Sequence, residues 1–113
     1  MKTVVIIFSL GFLFSQAVSA AASAEAIFQQ TCKKCHGLDG KGQTTVGKKL
    51  KVPDFTNPEW QAKNSPSKMK EVIENGVKDK AGKELMAPYK NKLTSEEINN
   101  LIEYVKKFAS SNT

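Results

Sequence analysis

Cys32-Lys33-Lys34-Cys35-His36 gathers both cysteines and the single histidine of the chain into five consecutive residues, and no other feature restricts fold and chemistry as tightly. Two thiols three residues apart, with an imidazole directly after the second, form the attachment pattern of a c-type haem. The spacing has a chemical reason. On one helical turn the thiols of Cys32 and Cys35 each add to a vinyl group along one porphyrin edge, and the imidazole of His36 turns beneath the ring to ligate the iron. A disulfide between Cys32 and Cys35 is the competing use, but so short a loop belongs to redox catalysis in a thioredoxin-like βαβ setting, and no such pattern flanks the motif. A structural zinc site needs four protein ligands, which these three side chains do not supply.

The start of the chain bears on compartment. Lys2 supplies a positive end, Val4 to Phe14 is apolar except for Ser9 and Gly11, and small residues follow as Val18-Ser19-Ala20. This is the pattern of a secretory signal peptide over residues 1–20, with cleavage after Ala20 and with Ala22 and Ala24 as alternatives. An uncleaved anchor is the other reading, but the run falls short of the ~20 residues a spanning helix needs. Residues 21–113 are then one exported domain, periplasmic or equivalent, with no stable membrane insertion. A domain this small buries a modest fraction of its surface, and a covalent haem would act as its internal staple.

Charge narrows the partners. The chain carries 17 basic and 11 acidic side chains, and every basic one is lysine. Nucleic-acid recognition favours the bidentate fork of arginine, so this balance argues against nucleic acid and for electrostatic docking with an acidic protein, or for solubility alone.

Along the chain, Ile27, Phe28, Thr31 and Cys35 recur at helical spacing behind Ser23 as N-cap, so a first helix runs from Ala24 into the motif, with Phe28 one turn before Cys32 on the same face. Gly37, Gly40, Gly42 and Gly47 then punctuate a polar stretch to about Lys51 that is too glycine-rich for regular structure. It follows no strand, so it is no phosphate loop. Pro53 keeps a carbonyl that can accept from Nδ1 of His36 and hold the iron-binding tautomer. Phe55 and Trp60 are aromatic walls for the cofactor, or core filler. Ser65-Pro66 opens a helix that ends at Asn75 before Gly76, with Met69, Val72 and Ile73 as its apolar stripe. Met69 is therefore a core residue. Met86 belongs to no stripe and lies in a loop beside Pro88, from which its thioether can reach the haem face opposite His36. Thr94 and Glu97 form a capping box, Leu93 and Ile98 a staple, and Ile98, Leu101, Ile102, Val105 and Phe108 the stripe of a last helix reaching about Ala109. Tyr104 borders that stripe and can meet Phe28.

From Ala24 to Phe108 the chain resembles a small class I cytochrome c with one haem. The resemblance rests on Phe28 before Cys-x-x-Cys-His-Gly, on Gly40 and Gly42, on Pro53-Asp54-Phe55-Thr56 with Trp60, on Leu85-Met86 with Pro88 and Tyr89, and on Leu101-Ile102-Glu103-Tyr104-Val105. It implies one haem c joined through thioethers at Cys32 and Cys35, His36 as proximal and Met86 as distal ligand, and contact between the first and last helices. The expected architecture is all-α and cytochrome c-like, with about three main helices and glycine- and proline-rich loops wrapped around the haem. The lysine-rich segment Val77 to Glu84 is longer than the link often found before the distal methionine.

With both axial positions filled, the expected function is a one-electron carrier between respiratory redox partners rather than an enzyme, acting as a monomer. Lys33 and Lys34 flank the haem edge, and Lys48, Lys49, Lys51, Lys83 and Lys90 are candidates to ring it as a docking face. Two other classes compete: a haem peroxidase or gas sensor with an open distal position, and a haem-free Cys-x-x-Cys redox protein.

Overall fold

The computed structural model describes residues 2–12 and 22–112. Residues 2–12 form no regular secondary structure, and Val4, Val5, Ile6, Ile7, Phe8 and Leu10 are exposed. The expected cleavage point after Ala20 and the end of the apolar run lie outside the described residues. Among the described residues, no helix is long and apolar enough to cross a membrane.

The domain begins with helical residues 24–36. Ser23 caps α1 (Ala24–Ile27) by accepting from the Ala26 N–H, which satisfies one of the donors that every helix start leaves open. A single π-helical turn over Phe28–Cys32 follows, closed by the Lys33 N–H donating to the Phe28 carbonyl, and α2 (Lys33–His36) carries the rest of the motif. The wider turn is of the kind that marks functional positions in helices. Gly37, at φ 76°, ends the run.

Two further short helices are present. Thr44 caps α3 (Thr45–Leu50), and Asn57 with Pro58 starts α4 (Pro58–Lys63). Ser65 and Pro66 then open α5 (Pro66–Asn75), which stops at Gly76, and α6 (Ser95–Lys107) starts from a complete capping box and runs into a 3-10 turn over Phe108–Asn112. Between α5 and α6 lies an antiparallel hairpin, β1 (Val77–Lys78) with β2 (Glu84–Met86), in which Val77 faces Met86 and a bulge falls between Val77 and Lys78.

The fold corrects the sequence expectation in three places. The stretch after Gly37 contains α3, because Thr44 supplies a cap and Gly47 is tolerated inside a helix that packs too closely for a side chain. The region around Trp60 is α4. The lysine-rich link is the β1–β2 hairpin, so the domain is predominantly rather than wholly helical, and Met86 ends a strand instead of sitting in a loop. The hairpin is stabilised locally: the Asp79 carboxylate accepts from the N–H groups of Ala81 and Lys83, both at 2.9 Å, at a turn that ends on Gly82 at φ 82°.

Ile27, Phe28, Phe55, Met69, Ile98, Leu101, Ile102 and Val105 form the core, where α1 and α5 both pack on α6. Each such side chain contributes about 1.5–3 kcal/mol by leaving water. Phe28 is the most buried, at 1% exposure. Its ring centroid lies 5.1 Å from that of Tyr104 and 5.4 Å from that of Phe108. The two ends of the domain are thus clamped together by aromatic packing, as expected from the placement of Phe28 and Tyr104 in the sequence.

Candidate haem-binding site

The loop after the motif is laced back onto it. Thr44 Oγ1 donates to the Cys35 carbonyl at 2.7 Å, the Gly42 N–H donates to the His36 carbonyl at 2.8 Å, and the Phe55 N–H reaches the Gly40 carbonyl at 2.8 Å. The last carbonyls of α2, which a helix end leaves unpaired, are thereby satisfied, and the motif is fixed against α3 and the Phe55 loop. A Cβ on Gly47 would collide with the Cys35 carbonyl, which explains glycine inside α3. Gln61 Nε2 bridges the Phe55 carbonyl at 2.8 Å and the Val105 carbonyl at 3.0 Å, tying the same loop to α6.

His36 opens on a cavity of about 340 Å³ whose wall includes Pro53, Phe55, Trp60, Met69, Ile73, Leu85 and Met86. This volume falls in the range of about 300–1,000 Å³ typical of cofactor sites. The polar side chains in the wall are few: His36, Lys51, Asn64, Lys68 and the indole of Trp60. A smaller cavity of about 40 Å³ shares His36, Phe55, Ile73, Met86 and Val105 with it and adds Phe28, Cys32, Tyr89, Leu93 and Leu101. His36, Met86, Pro53, Phe55 and Trp60 are therefore brought together in one wall, and Cys32 joins them through the smaller space. Cys35 is half-buried and lines neither cavity. Met69 is buried in the core and also faces the large cavity.

The imidazole of His36 stacks on the ring of Phe55, and its Nδ1 is buried without a hydrogen-bond partner. The expected bond from Nδ1 to the Pro53 carbonyl is thus not made. That carbonyl lies 3.1 Å from the point a Cβ on Gly42 would occupy, so the loop packs closely there; Pro53 remains part of the cavity wall. Burial lowers the His36 pKa to about 4, so the ring is neutral at physiological pH and its lone pair is available to a metal.

Cys32 and Cys35 are not joined to each other by a disulfide. Burial, and to a lesser degree the neighbouring Cys35, push the Cys32 thiol up to about 11.

The wall also contains residues that the sequence did not mark as lining the cofactor site. Tyr89 lines the smaller cavity, three residues after Met86, and burial raises its phenol pKa, followed in effect by Cys32 and Cys35. Lys51 and Lys68 line the large one. The signal for Tyr89 was its place in Leu85-Met86-Ala87-Pro88-Tyr89; Lys51 was expected only around the haem edge as a docking residue, and no local signal marks Lys68.

Residues 19–105 match the family described as cytochrome c oxidase, cbb3-type, subunit III. The chain belongs to this family. Among solved structures, this cytochrome is similar to the KustC0563 c-type cytochrome, with 38% identity over 77% of this chain and 98% of that one and a TM-score of 0.68. It is similar also to a tyrosine-to-phenylalanine mutant of Kustc0563, with 39% identity over 77% of this chain and 99% of that one and a TM-score of 0.67. No curated protein sequence matches. The chain is thus a small class I-like cytochrome c with a cytochrome c-like fold, and a c-type cytochrome implies covalently bound haem c. The residues present fit that group: an apolar cavity of suitable size, a neutral imidazole whose buried nitrogen lacks a partner, and a thioether in the same wall.

Proposed function

We propose that this cytochrome is a one-electron carrier whose single haem is joined through thioethers at Cys32 and Cys35 and ligated by His36 and Met86. The observation that carries the reading is the presence of the His36 imidazole and the Met86 side chain in the wall of one apolar cavity. Bound haem c supplies a ferric–ferrous couple, and methionine ligation with burial raises its potential.

The chain's own residues define how that couple is used. Neutral His36 offers its lone pair without first losing a proton, and Phe55 stacked against it sets the ring plane. Met86, in the wall of the same cavity, would supply a second ligand to the iron, which would leave no open position for a substrate. Ile73, Ile102 and Val105 in the wall exclude water, which lowers the reorganisation that accompanies each change of charge.

For partners, we propose proteins with acidic docking surfaces that approach the motif. Residues 32–51 hold six lysines against Asp39 as their one acidic side chain, whereas residues 52–113 hold ten lysines against nine acidic residues. Among the described residues, the ion pairs fall on α4, α5 and α6, as Lys63–Glu59, Lys70–Glu74 and Lys106–Glu103, and none involves a lysine of residues 32–51. Leu38, 58% exposed beside the motif, gives this basic shoulder an apolar contact point. Export with removal of residues 1–20, to the periplasm or an equivalent compartment, and action as a monomer between respiratory partners complete the proposal; an N-terminus at Met1 in the purified protein would overturn the export step.

The test is a visible spectrum with a pyridine haemochrome assay on protein matured with haem-attachment machinery. One haem per chain, a low-spin six-coordinate ferric form and no response to carbon monoxide after reduction are expected. A high-spin form that binds carbon monoxide would replace the carrier with an open-site enzyme or sensor, and absence of a Soret band would remove haem altogether.

A further inference from the structure

We infer that Gly76 is a positioning residue for Met86: the absence of a side chain at Gly76 lets the β1–β2 hairpin return Met86 to the cavity wall. The inference rests on the His36/Met86 ligation proposed above.

Gly76 ends α5 at φ 72° and ψ −170°, a region open essentially to glycine alone. A Cβ there would overlap the Met86 carbonyl oxygen and would lie 2.9 Å from both the Ala87 carbonyl carbon and the Pro88 nitrogen. All three obstacles are backbone atoms, so no rotamer change relieves them. Either the end of α5 or the Met86 segment has to move.

The surroundings leave little freedom for that movement. Before Met86 the chain is held by the β1–β2 ladder, in which Met86 faces Val77, the residue next to Gly76. After Met86 it is held by the Tyr89 N–H donating to the Ile73 carbonyl at 2.9 Å and the Lys90 N–H donating to the Glu74 carbonyl at 3.2 Å. These bonds also satisfy carbonyls at the end of α5, so they belong to the helix stop itself. The last turn of α5, Gly76, Val77 and Met86–Lys90 thus form one interlocked unit, and the long lysine-rich excursion between its halves is what brings Met86 back to the helix it left. Because Met86 lines both cavities, a shift of its backbone is transmitted to the thioether. A displacement of about 1 Å is enough to spoil the geometry of a held ligand.

Gly82 provides the internal control. It lies in the same hairpin at φ 82°, but a Cβ there meets nothing within 4 Å. Gly82→Ala therefore places an alanine at a positive φ in the same hairpin without a collision at Met86.

The experiment compares haem-loaded wild type, Gly76→Ala and Gly82→Ala by haem content, the near-infrared methionine–iron band, reduction potential and thermal melting. Gly76→Ala is expected to retain covalent haem but to lose the band, bind carbon monoxide when reduced and shift to a lower potential. Gly82→Ala is expected to melt at a lower temperature with band and potential unchanged. A Gly76→Ala holoprotein with the wild-type band and potential overturns the inference, as does a Gly82→Ala protein that loses both equally. Should Gly76→Ala not accumulate, Asp79→Ala loosens the hairpin at its exposed turn. Its band is expected to disappear at a lower urea concentration than global unfolding, and coincident midpoints overturn the inference. A wild-type protein without the band, or Met86→Ala that keeps it, defeats the ligation and this inference together; a normal wild type with an unaffected Gly76→Ala defeats this inference alone.

Discussion

The imidazole of His36 and the ring of Phe55 lie almost parallel, with centroids 4.6 Å apart and planes inclined by 17°. The same Phe55 ring sits 5.0 Å from Trp60, so the orientation of the candidate iron ligand is passed through an aromatic stack into α4. Phe55→Ala removes a buried ring and its support of His36 at once. It is expected to destabilise the protein by about 3–5 kcal/mol in urea denaturation. It should also alter the g values of the ferric electron paramagnetic resonance spectrum, which report the axial ring plane; unchanged g values would show that Phe55 is packing only.

The two buried or half-buried methionines separate by role. Met86→Ala is expected to abolish the near-infrared band and lower the potential. Met69→Ala should keep the band while costing about 2–5 kcal/mol, because Met69 is in the core. The reverse pattern in the two spectra would transfer the ligand role to Met69, which also faces the large cavity.

Phe28 and Tyr104 join the ends of the domain, and their coupling is measurable. A double-mutant cycle of Phe28→Leu and Tyr104→Leu is expected to give a coupling of about 0.5–1.5 kcal/mol, the usual range for an aromatic pair. Additive effects in thermal or urea unfolding would reduce the clamp to two independent burials.

The capping box of α6 predicts a pH dependence with a definite sign. Thr94 N–H donates to Glu97 Oε1 at 3.0 Å, and this backbone hydrogen bond leads in holding the Glu97 carboxyl below its ordinary value. A carboxylate with a lowered folded pKa contributes stability that is present above its unfolded pKa and is lost as pH falls through the folded one. The melting temperature should therefore decline through this acidic window, and Glu97→Gln should flatten that part of the profile. Thr94→Ala, which removes the hydroxyl that accepts from the Glu97 N–H at 3.1 Å, is expected to cost about 1 kcal/mol by circular dichroism melts.

The basic shoulder predicts a salt-dependent partner reaction. Lys33→Gln and Lys49→Gln are expected to slow electron transfer with an acidic redox protein at low ionic strength, with rates converging on wild type as salt is raised, because screening removes the steering. Lys63→Gln, whose lysine already pairs with Glu59, should have little effect. Equal losses in all three variants would remove residues 32–51 as the docking face.

Much of the domain follows from local signals. Ser23, Ser65-Pro66 and Thr94-x-x-Glu97 start helices where their side-chain chemistry requires, and Gly76 stops α5, since caps act within one turn and need no tertiary partner. The five-residue motif likewise points to its proposed cofactor chemistry through spacing alone. Asn57-Pro58 held the same signal as Ser65-Pro66, but α4 is too short to show an apolar period. Thr44 offered a local cap for α3, but the glycine inside that helix is explained by the nearby Cys35 carbonyl rather than by propensity.

The sequence by itself determined the candidate haem-attachment motif, the capped helices and the candidate ligands His36 and Met86, because each of these depends on side-chain identity and short spacing. Tertiary structure alone decided that His36 stacks on Phe55 instead of bonding Pro53, that a lysine-rich link folds as a hairpin, and that Gly76 admits the Met86 carbonyl beside it. These are contacts between segments brought together by packing, where the available space, not the propensity of any one residue, sets the outcome.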